Sequence, residues 1–170
     1  LESLAERIDL LEKTVAWQPS HARAHLRLAE AYLRHFDLLQ QSSENVMPLG
    51  QIADAAMTAQ FSSAKETRGW LSRVAGCGLD DLDRARWHAR RAVALAPTQG
   101  AGYVYLSQLS FLDGLTAATA KDAYLAQALK VRPFDSFVLF EAGKQASLAG
   151  DAAQAIAYWR FSFRNSPARR

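Results

Sequence analysis

The chain has little of several residues that favour other classes of protein. Its 170 residues include one cysteine, five prolines and nine glycines. The single Cys77 excludes an internal disulfide framework and a thiolate metal cluster, because both need at least two cysteines. The sequence has no run of about 18 apolar residues that would span a membrane. It also has no sustained alternation of apolar and polar residues of the kind that indicates strands. These absences favour an all-α domain.

Apolar residues spaced three and four apart run through nearly the whole sequence, which is the pattern of amphipathic helices. Ser20 is predicted to cap the second helix and Asp151 the last, while Gly150 is predicted to end the helix before the last one. Four prolines each follow a helical run that they stop: Pro19, Pro97, Pro133 and Pro167. We predict about nine helices, at residues 1–17, 20–41, 48–61, 63–75, 79–96, 99–113, 119–131, 135–149 and 151–165.

Charge is divided unevenly along the chain. Residues 1–60 contain five Lys or Arg and eight Asp or Glu, a net charge of −3. Residues 61–170 contain 15 and nine, a net charge of +6, and the two parts sum to the +3 of the whole chain. This dipole is able to orient an acidic partner, but a net charge of +3 is weak evidence for nucleic-acid binding.

The prolines recur with a regular spacing. Pro97 and Pro133 are 36 residues apart, and Pro133 and Pro167 are 34 residues apart. The segments that end at these prolines are similar: RAVALAP (91–97), QALKVRP (127–133) and FSFRNSP (161–167), with KTVAWQP (13–19) as a fourth. A period near 34 with two helices per unit is typical of a stacked helical solenoid.

The unit from Ser136 to Pro167 resembles the consensus of the tetratricopeptide repeat. Gly143 stands at the small position of its first helix and Gly150-Asp151 at the turn. Ala155 and Trp159 stand at the small and aromatic positions of the second helix. The resemblance implies that two helices cross at Ala155, that Trp159 fills the space beside it and that Pro167 closes the unit.

The first helix of an earlier repeat, ARAHLRLAEAYL (22–33), is not followed on schedule by its second helix. Pro19 and Pro97 are 78 residues apart, which is one period of 34 plus about 44 inserted residues. We therefore predict one all-α domain, a right-handed helical-hairpin solenoid. Its predicted parts are first repeat elements at 1–35, a non-repeat helical insertion at 36–80, the second helix of the interrupted repeat at 81–97, and repeats at 98–133 and 134–167.

Repeat proteins of this kind usually bind extended peptides on the concave surface that their first helices line. On a wheel of 100° per residue, the arginines of helix 22–39 lie opposite Tyr32. This stripe is either a solvated polar face or, with Lys144, a surface for an acidic or phosphorylated segment. The resemblance implies a set of groove-facing residues: Arg23, Arg27, Glu30, Arg34, Gln108, Phe111, Phe140 and Lys144.

Two further surfaces are alternatives to this groove. Trp87, beside Arg90 and Arg91, either stacks on a base or a partner's ring or packs on the inserted helices. Trp70 is an apolar anchor of the insertion, which either covers the end or side of the solenoid or binds a partner. Nucleic-acid binding through the Arg-rich helix 82–96 is therefore a lesser alternative.

No motif for catalysis or metal binding is present in the sequence. His21 and His25 are four residues apart, but HARAH lacks the Glu of a zinc-protease motif and no third ligand is indicated. No glycine-rich phosphate loop or nucleophile elbow is present either. We therefore predict a non-enzymatic scaffold, with no metal, cofactor or small-molecule substrate, that binds a protein or peptide.

The chain also resembles the soluble repeat domains found beside multi-pass membrane proteins of the O-antigen ligase/polymerase type, mainly through its long insertion. This resemblance implies an alternative role as an assembly module in envelope polysaccharide synthesis, with membrane contact only through a parent chain outside this sequence. Because the sequence opens inside a helical pattern, we expect it to be a piece of a longer protein. Its compartment would be cytoplasmic, or periplasmic in an envelope protein.

Overall fold

The computed structural model describes residues 2–42, 46–59 and 61–166. This part of the chain is helical and contains no strand. The all-α class predicted from the sequence is therefore confirmed. The α-helices are α1 (Glu2–Trp17), α2 (Ala22–Gln41), α3 (Leu49–Thr58), α4 (Ala64–Ala75), α5 (Leu79–Leu95), α6 (Gly100–Gln108), α7 (Ala117–Val131), α8 (Ser136–Leu148) and α9 (Ala152–Asn165).

The predicted helix 99–113 is wrong at its C-terminal end. α6 ends at Gln108, and residues Ser110–Thr116 form a 3₁₀ helix instead. Gly114 has a φ of 65° in this segment, a left-handed conformation that interrupts any continuous helix. A second 3₁₀ helix, Gly76–Gly78, joins α4 to α5. The expected count of about nine helices is slightly off, because the prediction did not include the two 3₁₀ helices.

Capping side chains set several helix starts. Asp151 accepts a hydrogen bond from the backbone N–H of Gln154 at 2.9 Å, as predicted, and Gly150 before it has a φ of 82°. The prediction that Ser20 caps α2 is wrong. Because α2 begins at Ala22, the capping residue is His21, whose Nδ1 accepts from the N–H of Ala24 at 3.1 Å. Pro167, expected to close the last unit, lies outside the described residues.

Most helices pack against their neighbours in the chain, and α2 is the main exception. α6 packs on α7 and α8 packs on α9, whereas α2 packs chiefly on α5 across the intervening segment 42–78. α1 covers α2 at one end of the molecule. α2 also contacts α6, and α6 contacts α8, so these three helices lie side by side. Their arrangement forms one face of the molecule.

The inserted helices join the largest cluster of buried side chains. Ile52 of α3 and Leu71 of α4 pack in one cluster with Phe36 of α2 and Leu82 of α5. Gly78 allows the Phe36 ring to approach, because a Cβ at this position would lie 2.7 Å from Cδ2 of the ring. The insertion is therefore part of the core between α2 and α5.

Small residues allow the close approach of α8 and α9. Ala155 is 1% exposed, and a Cβ added to Gly143 would lie 2.4 Å from Nε1 of Trp159. The Trp159 ring thus lies directly on Gly143, and its Nε1 donates to the carbonyl oxygen of Phe140 at 3.2 Å. The residues that carried the repeat resemblance are thus located at the contact between these two helices.

Candidate binding groove

A groove of about 490 Å³ opens on the face where α2, α6 and α8 lie side by side. α3 of the insertion and α7 complete its walls. Apolar side chains form much of its lining, contributed by all five helices: Leu33, Leu49, Ala53, Met57, Val104, Leu125, Phe137 and Leu148. This volume lies within the range of ordinary ligand pockets.

Two carboxylates at the groove are already paired by the protein. Glu30 accepts from Nη1 of Arg27 at 2.8 Å, and Nη2 of Arg7 lies 3.8 Å from it. Glu141 accepts from Nε2 of Gln108 at 2.9 Å and from Nζ of Lys144 at 3.1 Å. These carboxylates are held in place and partly neutralised before any ligand arrives.

Four other charged groups of the lining have no such pairing. Among the described residues, no hydrogen bond or ion pair is made by the charged side-chain groups of Arg34 and Asp37 of α2, Asp54 of α3 or Lys121 of α7. Burial raises the pKa of the Asp37 carboxyl, which disfavours its ionised form in the groove. Two cations and two anions are thus available to a ligand.

Tyr105 of α6 provides a neutral hydrogen-bonding group in the groove wall. Burial, with the nearby negative charge of Glu30, raises the pKa of its phenol to about 12. Its ring lies 5.6 Å from the ring of Phe137 of α8, centroid to centroid. The hydroxyl therefore remains protonated and able to donate a hydrogen bond throughout the neutral pH range.

The structure brings four of the predicted groove residues together and separates the others from them. Glu30, Arg34, Gln108 and Lys144 line the groove. Phe111 does not: it is 1% exposed in the core, because α6 ends before it and the 3₁₀ helix turns it inward.

Three further predicted residues are accessible but lie outside the groove lining. Arg23 and Arg27 are exposed elsewhere on α2. Phe140 is 48% exposed, and its ring lies 5.9 Å from the Lys144 ammonium. The stripe predicted along α2 thus enters the groove only at Glu30 and Arg34.

The sequence reasoning missed the part of the groove that α3 contributes. Ile52 and Ala56 bury one face of this helix, and Leu49, Ala53 and Met57 are next to that face along the groove. The sequence of α3 does not indicate which helix α3 lies against, because the position of α3 depends on contacts with α2 and the 3₁₀ helix 110–116.

Within the described residues, the ring contacts of Trp87 are with two histidines of α2 and α5 rather than with aromatic rings of the inserted helices. Its ring meets the edge of the His88 ring at 4.7 Å between centroids and lies 5.6 Å from His25. It is 58% exposed and lines a cleft of about 580 Å³ between α1, α2 and α5, together with Arg91. Trp70 is half-buried against Phe61 at 5.6 Å.

Most arginines of α5 already donate hydrogen bonds to other residues of the chain. Arg86 and Arg90 both donate to Oδ1 of Asp113, at 2.9 and 2.8 Å. Arg84 donates to the hydroxyl of Tyr32 at 3.1 Å, and that hydroxyl donates to Glu12. A phosphate on this helix would have to compete with these contacts.

Comparisons with known proteins do not assign the chain to a group. No family model matches it, and no curated protein is significantly similar to it. Within the described residues, no set of three or more His, Cys, Asp or Glu side chains is arranged to hold a metal ion. In the same part of the chain, none of the helices has the length and apolar character needed to cross a membrane.

Proposed function

We propose that the chain is a tetratricopeptide-like interaction module that binds a peptide segment of a partner protein in the groove between α2, α6 and α8. The observation that carries this proposal is the lining of the groove by successive first helices of the predicted repeats. In solenoids, such stacking produces an extended concave surface that contacts a ligand over several repeats. The Gly143–Trp159 contact supports the repeat resemblance in the last unit.

The lining also indicates the chemistry of the peptide. Its formal charges are three positive and four negative, a net charge of −1: Arg34, Lys121 and Lys144 against Glu30, Asp37, Asp54 and Glu141. An all-acidic segment would meet the unpaired Asp37 and Asp54, which disfavours it. The ligand we propose has apolar anchors for the floor and side chains of both signs for the walls.

Protein binding is preferred to nucleic-acid binding on the same grounds. Single-stranded nucleic acid is bound by basic grooves with exposed aromatic rings. The groove described here has almost balanced charge, and on α5 the guanidinium groups of Arg84, Arg86 and Arg90 already contact acceptors of the chain. A salt-independent affinity for peptide would support protein binding, whereas nucleic-acid affinity would fall steeply with salt.

Peptide selection tests the proposal directly. A random peptide library would be panned against the folded domain, and the affinity of the best synthetic peptide measured by fluorescence anisotropy. Leu148→Gln should weaken binding by about tenfold, because a leucine of the groove lining loses its apolar contact with the ligand.

The matched control is Leu10→Gln on α1, since Leu10 is 64% exposed and Leu148 is 69% exposed. This variant should bind within about twofold of the original protein, because a change at a distant exposed site removes no contact with the ligand. Equal losses in the two variants, or no enriched peptide at all, would refute the groove as the binding site.

A further inference from the structure

A buried pair of imidazoles joins the two helices of the interrupted repeat. His25 of α2 and His88 of α5 are 2% and 8% exposed. Their Nδ1 atoms are 2.9 Å apart, a hydrogen-bond distance between residues separated by 63 positions. Tyr32 stacks on the His88 ring, with 5.8 Å between the ring centroids, and Trp87 covers the pair from the cleft.

The contacts of His25 determine which nitrogen carries each proton. Its Nε2 lies 3.1 Å from the carbonyl oxygen of Pro19, and a carbonyl only accepts hydrogen bonds. Nε2 of His25 therefore bears the hydrogen of the neutral ring, and Nδ1 has the lone pair. It follows that His88 donates from its Nδ1–H to His25, which leaves the Nε2 of His88 without a proton.

This arrangement has room for one additional proton but not for two. A proton on Nε2 of His88 would leave the Nδ1–H···Nδ1 bond intact. A further proton on Nδ1 of His25 would oppose two N–H donors at 2.9 Å and destroy the bond. We propose that His25 and His88 form a proton-sensitive lock, which holds α2 and the α1–α2 turn against α5 at neutral pH and opens when both rings become charged.

The groups around the pair do not supply a compensating negative charge to both rings. From α5, Arg84 and Arg91 contribute positive charge, and His21 of α2 is also nearby. Glu12 of α1 lines the same cleft, but it already accepts from Tyr32 and pairs with Arg84 at 3.4 Å. The charged forms of the imidazoles are therefore opposed by burial and by neighbouring cations.

The direction of the pH effect follows from these surroundings. Burial, then the neighbouring His25 and Arg84, lowers the pKa of His88 to about 4, and burial also lowers the pKa of His25. The unfolded chain binds protons at these rings below about pH 6.5, whereas the folded chain does not. The stabilisation is thus complete above about pH 6.5 and is lost as the pH falls towards 4.

Two independent measurements test the lock. In a ¹⁵N–¹H correlation spectrum of the folded protein at neutral pH, His25 should be protonated at Nε2 and His88 at Nδ1. Both rings should remain neutral at about pH 5.5, below the ordinary pKa of histidine. Reversed tautomers, or titration of either ring near pH 6.5 in the folded state, would overturn the proposal even if no variant folds.

The second measurement compares denaturant unfolding at about pH 7.5 and about pH 5. On acidification, the unfolding constant should rise more than in His25→Leu/His88→Phe, by roughly 30-fold from His88 alone, because unfolded histidines titrate near 6.5. His25 should add to this rise, because its pKa is also lowered. Carboxylates are common to both proteins and cancel in this difference. His21→Asn keeps a capping side chain while removing a third imidazole, so this variant separates the contribution of His21 from that of the pair. Equal pH dependence in the original protein and the double variant would refute the lock.

Discussion

The helix pairs α2–α5 and α8–α9, which the sequence predicts to be an interrupted repeat and the last repeat, bury their apolar surface in different ways. Around α2 and α5, the insertion places Ile52 and Leu71 against Phe36, and all three side chains are at most 2% exposed. Between α8 and α9, the close contact is made by small residues such as Gly143 and Ala155. The region around α2 and α5 therefore has a core of large apolar side chains, whereas the α8–α9 pair depends on the close approach of two helices.

The larger core lies around α2 and α5, although the insertion in this region shows the less regular sequence pattern. The comparison explains why the two go together. A regular repeat contacts only its neighbours, so its constraints are local and recur with the period. The inserted helices satisfy no such period, and their apolar residues are selected by contacts with α2, α5 and the 3₁₀ helix 110–116. Local patterns therefore describe α8 and α9 well and describe the insertion poorly.

The largest expected difference between the two regions is in the loss of stability when an isoleucine is replaced by alanine. Ile52 is fully buried in the insertion, whereas Ile156 of α9 is 50% exposed. Ile52→Ala should lower the free energy of unfolding by about 2–5 kcal/mol through lost burial and a residual cavity, and Ile156→Ala by about 0.5 kcal/mol or less. Urea denaturation of both variants measures the difference. A similar loss in both would mean that the insertion is not a part of the cooperative core.

Alanines at the helix crossings allow a closer comparison of the two repeats. Ala89 of α5 and Ala155 of α9 are both buried, but only Ala89 belongs to one of the buried clusters, with Ala29 and Leu106. Ala89→Leu and Ala155→Leu should each cost about 1–3 kcal/mol through overpacking, with the larger loss at Ala89, where the surroundings yield less. Thermal melts of the two variants test this order. An unchanged melting temperature for Ala155→Leu would show that its position in the repeat register is wrong.

The smallest expected effect concerns an ion pair between the insertion and the repeat. Arg68 of α4 donates to both oxygens of Asp83 of α5, at 3.0 and 2.5 Å, but half of its side chain is exposed. Arg68→Met should therefore cost only about 0–1 kcal/mol, and less in about 1 M salt, where charges are screened within about 3 Å. Denaturation at two salt concentrations measures this cost.

The control for the ion pair is Arg73→Met. Among the described residues, Arg73 has no ion pair or side-chain hydrogen bond, although it belongs to the same helix. Its replacement should change stability by less than about 0.5 kcal/mol at either salt concentration. A large salt-dependent loss in Arg68→Met alone would instead make this pair a main attachment of the insertion.

Helix type and most boundaries followed from local rules, as at Asp151, where a capping carboxylate precedes an amphipathic run. The prediction was wrong at positions where the backbone departs from the helix that the local rule assumes. The repeat resemblance placed Phe111 in the groove on a helix predicted to run from 99 to 113, but α6 ends at Gln108. His21 likewise replaced Ser20 as the cap because the helix starts later than predicted.

Only part of the groove was predicted, because some of its residues are positioned by tertiary contacts. Glu30 and Arg34 follow from the wheel of α2, since the opposite face is buried. Asp54 and Met57 could not be located, because α3 reaches the groove only through tertiary contacts. The His25–His88 contact joins residues 63 positions apart, and neither helix carries a local pattern that identifies the other.

The separation of α2 from α5 has a consequence for the order of folding. The connection between these two helices has 37 residues, 42–78, whereas α8 and α9 are joined by three residues, 149–151. By the logarithmic dependence of loop-closure entropy on length, the longer connection costs about 2 kcal/mol more to close. Contacts that are distant in sequence also slow the folding of a domain. We expect the α8–α9 hairpin to form before α2 meets α5, so the segment that supplies the main core also delays the contact between the two helices that it separates.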